Sequence, residues 1–160
     1  EEGQRALPVN AEASVVEIAR KYNERVVRQR HHQPLFRAAV IHAYERRCAV
    51  CRLPFVELLD AAHIRSDADG GAAKVTNGLA LCKIHHASFD ANLIGIKPMG
   101  KGKPPEVVVK ESVLIARDGP MLLHGLQEMH QRQLILPSLQ VDHPDNERLE
   151  KRFDRFRKAS

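Results

Sequence analysis

The sequence has no tryptophan, only five phenylalanines and two tyrosines, and only three cysteines in 160 residues. Its apolar runs are much shorter than the roughly 20 residues that a membrane-spanning helix needs. Three cysteines leave one thiol outside any disulfide framework, and a chain of this length does not need covalent cross-links to fold. We therefore expect a cytoplasmic protein whose cysteines bind metal, rather than a membrane protein or a secreted disulfide-rich one.

The composition is that of an ordinary globular domain, with 43% hydrophobic and 28% charged residues. The net charge of +5 favours a polyanionic partner, although many proteins of this charge bind none. The chain begins at Glu1 rather than at a methionine, so we expect a module of a longer protein.

The hydrophobic pattern predicts an N-terminal helical segment over residues 1–45. One helix is predicted over 14–31, and a second is expected to open at Pro34, since proline is favoured in the first turn of a helix. The second helix is expected to turn four residues inward: Leu35, Ala38, Ala39 and His42.

The pattern changes in the central segment, residues 46–96. A strand is predicted over 58–64, a turn at the tract SDADGG, a second strand that holds Leu79, and a helix from near Lys83. The C-terminal extension, residues 97–160, is expected to pack on this core.

The extension is predicted to contain a strand over 107–115, a short helix over 121–129, an extended piece at 134–137 and a last helix capped by Asp142. The expected fold class is α+β. A small hairpin-and-helix core would be flanked by N- and C-terminal helices and a small extra β segment.

The three cysteines belong to two short motifs with the spacing of a zinc site. Cys48 and Cys51 form a Cys-x-x-Cys pair, and Cys82 with His85 forms a Cys-x-x-His pair. Zinc prefers four such ligands in a tetrahedron, and a two-residue spacer lets one turn present both members of a pair. The sequence therefore predicts a structural zinc site. The alternatives are cysteines that pack as small apolar residues and a redox-active Cys-x-x-Cys pair.

Between and after these motifs lie the tracts LLDAAHIRSDADGGAAKVTNGLALC and KIHHASFD. His63 ends the first predicted strand, Asn77 follows the turn, and His86 lies on the predicted helix. Over about residues 46–96 this order resembles the HNH nucleases, whose ββα-metal unit is a hairpin and a helix around one ion. The chain most resembles the HNH modules of McrA-like, modification-dependent restriction endonucleases. The tracts DGPMLLHGLQ and LILP support this narrower resemblance.

The resemblance implies a role for each of these residues. His63 would be the general base, since a neutral imidazole can take a proton near pH 7. Asn77 would fix the hairpin loop so that His63 points at the phosphate, and His86 would hold a divalent cation. Cleavage would leave 5′-phosphate and 3′-hydroxyl ends. Taken alone, His63 is more simply a strand-end histidine that donates to a backbone carbonyl, and Asn77 is more simply a turn residue ahead of Gly78.

Two adjacent histidines do not easily serve one ion, because neighbouring helix positions differ by about 100°. His85 is therefore assigned to the structural zinc and His86 to the catalytic metal. Asp90, four residues after His86, shares its helix face and is the expected second ligand, with Asp60 as the alternative. Many HNH proteins carry a ligand immediately before the base, where this chain has Ala62. The simpler interpretation of Asp90 is a helix residue that pairs with Lys83 or with a nearby arginine.

The sequence thus predicts a metal-dependent DNA endonuclease that acts on double-stranded DNA and serves restriction of modified or foreign DNA. Its structural ion would be Zn²⁺ and its catalytic ion Mg²⁺ or Mn²⁺, or else Ni²⁺ or Co²⁺. Target recognition would lie in another domain of a longer chain, and a homodimer is expected because one site cuts one strand. The competing hypothesis is a non-catalytic, zinc-stabilised module that binds DNA or another protein. Seven basic residues are candidate DNA contacts: Arg25, Arg28, Arg46, Arg47, Arg65, Lys74 and Lys83.

Overall fold

The computed structural model of the chain describes residues 16–17, 20–21, 33–66, 69–100 and 102–159. The chain divides into two compact units, Glu1–Leu35 and Phe36–Ser160. In the first unit, the described residues 16, 17, 20, 21 and 33–35 are helical. Most of the helix predicted over 14–31, including Arg25 and Arg28, lies outside the described residues.

The second unit begins with a helix, α1, in which residues 36–43 are helical. The inward face predicted for this helix is wrong, because all four residues expected to be buried are exposed. The buried residues are Phe36, Val40, Ile41 and, just after the helix, Tyr44. These side chains remove more apolar surface from water than the predicted set, which contains two alanines and a histidine.

An antiparallel hairpin forms the centre of this unit. Strand β1 is Leu59–His63 and strand β2 is Gly78–Cys82, with Leu59 opposite Cys82 and His63 opposite Gly78. Helix α2, Lys83–Asp90, follows β2 without a linker. All five residues of β2 are buried, so the hairpin is covered on both faces at this strand. The predicted α+β class and the order of strand, turn, strand and helix are confirmed.

A second antiparallel pair consists of β3, Ile94–Lys97, and β4, Glu106–Val109. The strand predicted over 107–115 is too long. It ends at Val109, and helix α3 spans Glu111–Leu114, since only Val107 and Val109 alternate towards the core in strand fashion.

Two helices complete the described extension. Helix α4 is Pro120–Gly125, and a turn of 3₁₀ helix over Gln127–Met129 follows it. Helix α5 is Asn146–Lys158, and its N-cap is Asp145, which accepts a hydrogen bond from the Arg148 N–H at 2.9 Å. The N-cap predicted at Asp142, three residues before Asp145, is wrong.

The long helix α5 packs against β3 at a glycine. A Cβ on Gly95 would lie 2.6 Å from the ring of Phe156, so this close approach requires glycine. The extended piece predicted at 134–137 forms no strand, and the nearest ladder contact is one bridge between Glu106 and Gln133. None of the described helices is long and apolar enough to cross a membrane.

Candidate metal centres and active site

Four side chains from three elements meet in a thiolate cluster. Cys48 and Cys51 lie in the turn after α1, Cys82 is the last residue of β2, and His85 lies in the first turn of α2. Their ligand atoms all lie within 4.8 Å of one another. The Nδ1 atom of His85 is 3.5 Å from the Cys48 sulfur and 3.2 Å from the Cys82 sulfur. The structure thus brings together the four residues that the spacing predicted.

The geometry and chemistry of the thiolate cluster fit zinc. Two sulfurs bound to one tetrahedral zinc at about 2.3 Å lie about 3.8 Å apart, and those of Cys51 and Cys82 are 4.0 Å apart. The Nε2 atom of His85 lies 2.8 Å from the carbonyl oxygen of Gly125 at the end of α4. This contact places the ring proton on Nε2 and leaves Nδ1 to face the sulfurs as a ligand.

The electrostatics of the thiolate cluster favour a cation at its centre. Burial lowers the pKa of His85, but hydrogen bonds with Cys48 and Cys82 outweigh it and raise that pKa to about 10. Hydrogen bonds from Cys48, Cys51 and His85 hold the pKa of Cys82 far below its usual range. The Cys82 thiolate and the neighbouring groups therefore share protons between them, and a divalent ion can take the place of those protons.

The next histidine along the helix belongs to a different cluster. His86 lies between two carboxylates: its Nδ1 is 3.6 Å from Asp60, and its Nε2 is 3.3 Å from Asp90. The side chain of His86 is 24% exposed, whereas His85 is buried. The two adjacent rings therefore face separate groups of ligands, one of sulfurs and one of carboxylate oxygens. We call His86, Asp60 and Asp90 the carboxylate cluster.

The two carboxylates face opposite nitrogens of the His86 ring, so an ion bound to one nitrogen would have one of these carboxylates beside it. The other carboxylate would accept a hydrogen bond from the remaining ring N–H. Asp60 is already paired, with Lys83 at 2.8 Å and Arg37 at 3.4 Å. Burial raises its pKa, but the hydrogen bond from Lys83 and the charges of Lys83, His86 and Arg37 lower it overall. Asp90 has a side chain that is 64% exposed.

His63 and Asn77 lie at the end of the hairpin where the loop joins its two strands. The ring of His63, the last residue of β1, stacks on Phe36 with centroids 4.1 Å apart and an interplanar angle of 22°. Asn77 is fully buried and holds the loop between the strands. Its Oδ1 accepts the Arg65 N–H, and its Nδ2 donates to the carbonyls of Arg65 and Ala72, all at 2.9 Å.

A glycine in the same loop makes room for the Asn77 contacts. A Cβ on Gly71 would lie 2.0 Å from the carbonyl oxygen of Arg65 and 2.9 Å from Asn77 Nδ2. Both distances are shorter than a Cβ atom tolerates. The three hydrogen bonds of Asn77 therefore require glycine at position 71.

The sequence did not indicate three contacts that shape the site. From α1, Phe36 stacks on His63 and Arg37 forms an ion pair with Asp60. From α4, the carbonyl of Gly125 contacts the His85 ring. Each contact joins positions far apart in the chain, so no local pattern could have revealed it. Ala62 is fully buried and offers no ligand atom.

Among the candidate DNA contacts, four have exposed side chains: Arg46, Arg47, Arg65 and Lys74. Lys83 is also exposed, but it pairs with Asp60 rather than with Asp90. Arg25 and Arg28 lie outside the described residues, and all seven stay predictions.

Residues 48–97 match the model of a family described as "HNH endonuclease", and this segment contains the hairpin, α2 and both clusters. A solved structure, "Modification dependent TagI restriction endonuclease", aligns with a TM-score of 0.47 and 20% identity over 76% of this chain. The alignment covers 37% of that protein, so the present chain spans little more than a third of it. No curated protein matches the sequence. Over residues 48–97 this chain is therefore similar to the HNH endonuclease family.

Proposed function

We propose that the unit Phe36–Ser160 is a zinc-stabilised, metal-dependent nuclease module that hydrolyses double-stranded DNA. The observation that carries this proposal is the separation of two adjacent histidines. His85 faces three cysteine sulfurs, and His86 faces two carboxylates. A helix that presents both rings in this way can hold one ion for structure and a second for chemistry.

The thiolate cluster is proposed to hold the structural ion. Zinc bound by Cys48, Cys51, Cys82 and His85 would supply folding free energy. Its ligands join the turn after α1, the end of β2 and the start of α2, so the cluster fixes the helix against the hairpin. That attachment determines where His86 points.

The carboxylate cluster is proposed to hold the catalytic ion through His86 and Asp90. Asp60 would act from the other side of the ring as the group that orients His86, since it already pairs with Lys83 and Arg37. Bound Mg²⁺ or Mn²⁺ would offset the negative charge that develops on the phosphate and on the leaving 3′-oxygen.

His63 is proposed to take the proton from the attacking water. Its ring is held by stacking on Phe36, and the loop that follows it is held by Asn77. A base with a fixed orientation loses little entropy when the substrate arrives. Asn77 is thus a positioning residue, and the products are 5′-phosphate and 3′-hydroxyl ends.

The biological role we propose is restriction of modified or foreign DNA, with recognition in a part of the protein outside this chain. The tract DGPMLLHGLQ, which supports the likeness to McrA-like enzymes, contains Gly125, and its carbonyl accepts from His85. The tract therefore contributes directly to the thiolate cluster. The net charge of +5 and the exposed arginines suit a DNA substrate.

The test is a nicking assay on supercoiled plasmid with zinc-loaded protein and added Mg²⁺ or Mn²⁺. We expect wild type to nick the plasmid and His63→Ala to lose at least a hundredfold in rate, as for a missing general base. His42→Ala is the matched control, because His42 is an exposed histidine on α1. Equal cutting by wild type and His63→Ala would contradict the role of His63. Binding of DNA without any cutting would favour the non-catalytic module.

A further inference from the structure

A cavity of about 280 Å³ lies between the loop after β1 and helix α5. Five of its lining side chains are cationic and one is acidic. The lining consists of Ile64, Arg65, Asp69, Arg148, Lys151, Arg152 and Arg155. We call it the basic cavity. The five cationic groups around this space repel each other, and an anion bound among them would reduce that repulsion.

The positive charges of the basic cavity are only partly compensated within the protein. Arg152 donates to Asn92 and to the Phe89 carbonyl, and its guanidinium lies 4.1 Å over the Phe89 ring. Arg155 lies 3.7 Å from Asp69, and Lys151 lies 2.6 Å from Glu147. Arg148 differs, since its Nη1 is buried with no hydrogen-bond partner among the described residues. A buried guanidinium N–H without an acceptor is costly, and a bound oxyanion would satisfy it.

The basic cavity is joined to the proposed active site through two contacts. Arg65 follows His63 by two residues, and Asn77 holds both its N–H and its carbonyl. Arg152 binds the carbonyl of Phe89, the residue before Asp90 in the carboxylate cluster. One wall therefore continues from the proposed general base, and the opposite wall is attached to the helix end that carries a proposed metal ligand.

We propose that the basic cavity binds a backbone phosphate of the cleaved DNA strand, close to the phosphodiester that the site cuts. The inference rests on the proposed nuclease function. Guanidinium groups recognise phosphate oxygens through paired N–H donors, and such contacts set the register of a protein on its DNA. Arg148 is the central contact because its buried nitrogen lacks an acceptor. Asp69 forms an ion pair with Arg155, a group that the phosphate would also bind. The DNA phosphate must therefore displace the Asp69 carboxylate from Arg155.

The test measures DNA affinity by fluorescence anisotropy over a range of salt concentrations, in the zinc-loaded His63→Ala protein, which is not expected to cut. Lys151→Gln removes a charge from the basic cavity. Lys158→Gln removes the same charge from the same helix outside it. Loss of one phosphate contact should make the slope of log K against log salt less negative by about 0.9. At 0.1 M salt this corresponds to a loss of affinity of about eightfold. We expect this change for Lys151→Gln and for Arg148→Gln, and a smaller one for Lys158→Gln.

Asp69→Asn provides a second variant whose expected effect cannot arise from misfolding. Removing this carboxylate should tighten DNA binding severalfold, because Arg155 becomes available to the phosphate. Equal slope changes for Lys151→Gln and Lys158→Gln would overturn the proposal in favour of a diffuse positive surface. Inorganic phosphate that binds wild type but not Arg148→Gln, with unchanged DNA slopes, would overturn it in favour of a small-anion site.

The two proposals fail in different ways. If the plasmid is not nicked but the salt slopes follow the predicted order, the nuclease proposal fails and the phosphate site stands. If the plasmid is nicked and the slopes do not differ, the phosphate site fails alone.

Discussion

Replacing Asn77 by alanine should separate positioning from chemistry in this site. The substitution removes three hydrogen bonds, two to Arg65 and one to Ala72, from a fully buried side chain. At about 1 kcal/mol for each bond, the free energy of unfolding should fall by about 3 kcal/mol. For a protein of this size each kcal/mol lowers the melting temperature by about 2–4 °C, so we expect a decrease of about 6–12 °C.

The assay is thermal unfolding of zinc-loaded protein by circular dichroism, followed by plasmid nicking well below the melting temperature. We expect Asn77→Ala to be folded at 20 °C and to nick slowly, because the loop after His63 is no longer fixed. Asn146→Ala, an exposed asparagine at the start of α5, is the matched control and should behave as wild type. A melting temperature within 2 °C of wild type, or wild-type nicking by the destabilised variant, would refute the role given to Asn77.

Three further predictions test other parts of the site. Gly71→Ala should reproduce the defects of Asn77→Ala in both assays, because its Cβ would collide with the Arg65 carbonyl; a neutral result would contradict the close packing of this loop. Zinc binding near pH 7 should release protons, because the pKa of His85 is about 10 before the ion displaces its proton. Titration calorimetry in buffers of different ionisation enthalpy measures this release, and the zinc affinity should fall as the pH falls. Asp90→Asn should raise the Mn²⁺ concentration for half-maximal nicking by about tenfold or more, and Asp60→Asn should do so less; the reverse order would exchange their roles.

Features set by short-range spacing could be predicted from the sequence. Cys48 and Cys51 share one turn, and Cys82 and His85 share a strand end and the first turn of a helix, so each pair is arranged locally. The two pairs meet because the turn that holds Cys48 lies against β2, where the Ala49 N–H donates to the Ala80 carbonyl at 2.7 Å and the Cys82 N–H to the Cys48 sulfur at 3.3 Å. The separation of His85 from His86 likewise follows from the helical repeat alone.

Features set by packing between distant elements could not be predicted. The inward face of α1 was assigned to residues that are exposed, because helical spacing alone allowed more than one apolar stripe. The strand Ile94–Lys97 was missed because four residues that include a glycine give a weak pattern; Gly95 is needed there only because Phe156 packs on it. The same limit applies to Arg37, whose contact with Asp60 depends on where α1 lies.

The central claim is that the adjacent histidines of α2 serve two different ions. Anomalous diffraction at the zinc and manganese edges, on crystals of zinc-loaded protein soaked in Mn²⁺, tests it most directly. We expect one zinc peak among the sulfurs of Cys48, Cys51 and Cys82 with His85 Nδ1, and a separate manganese peak beside His86 and one of its two carboxylates. A single peak shared by both rings, or no manganese at His86, would contradict the claim.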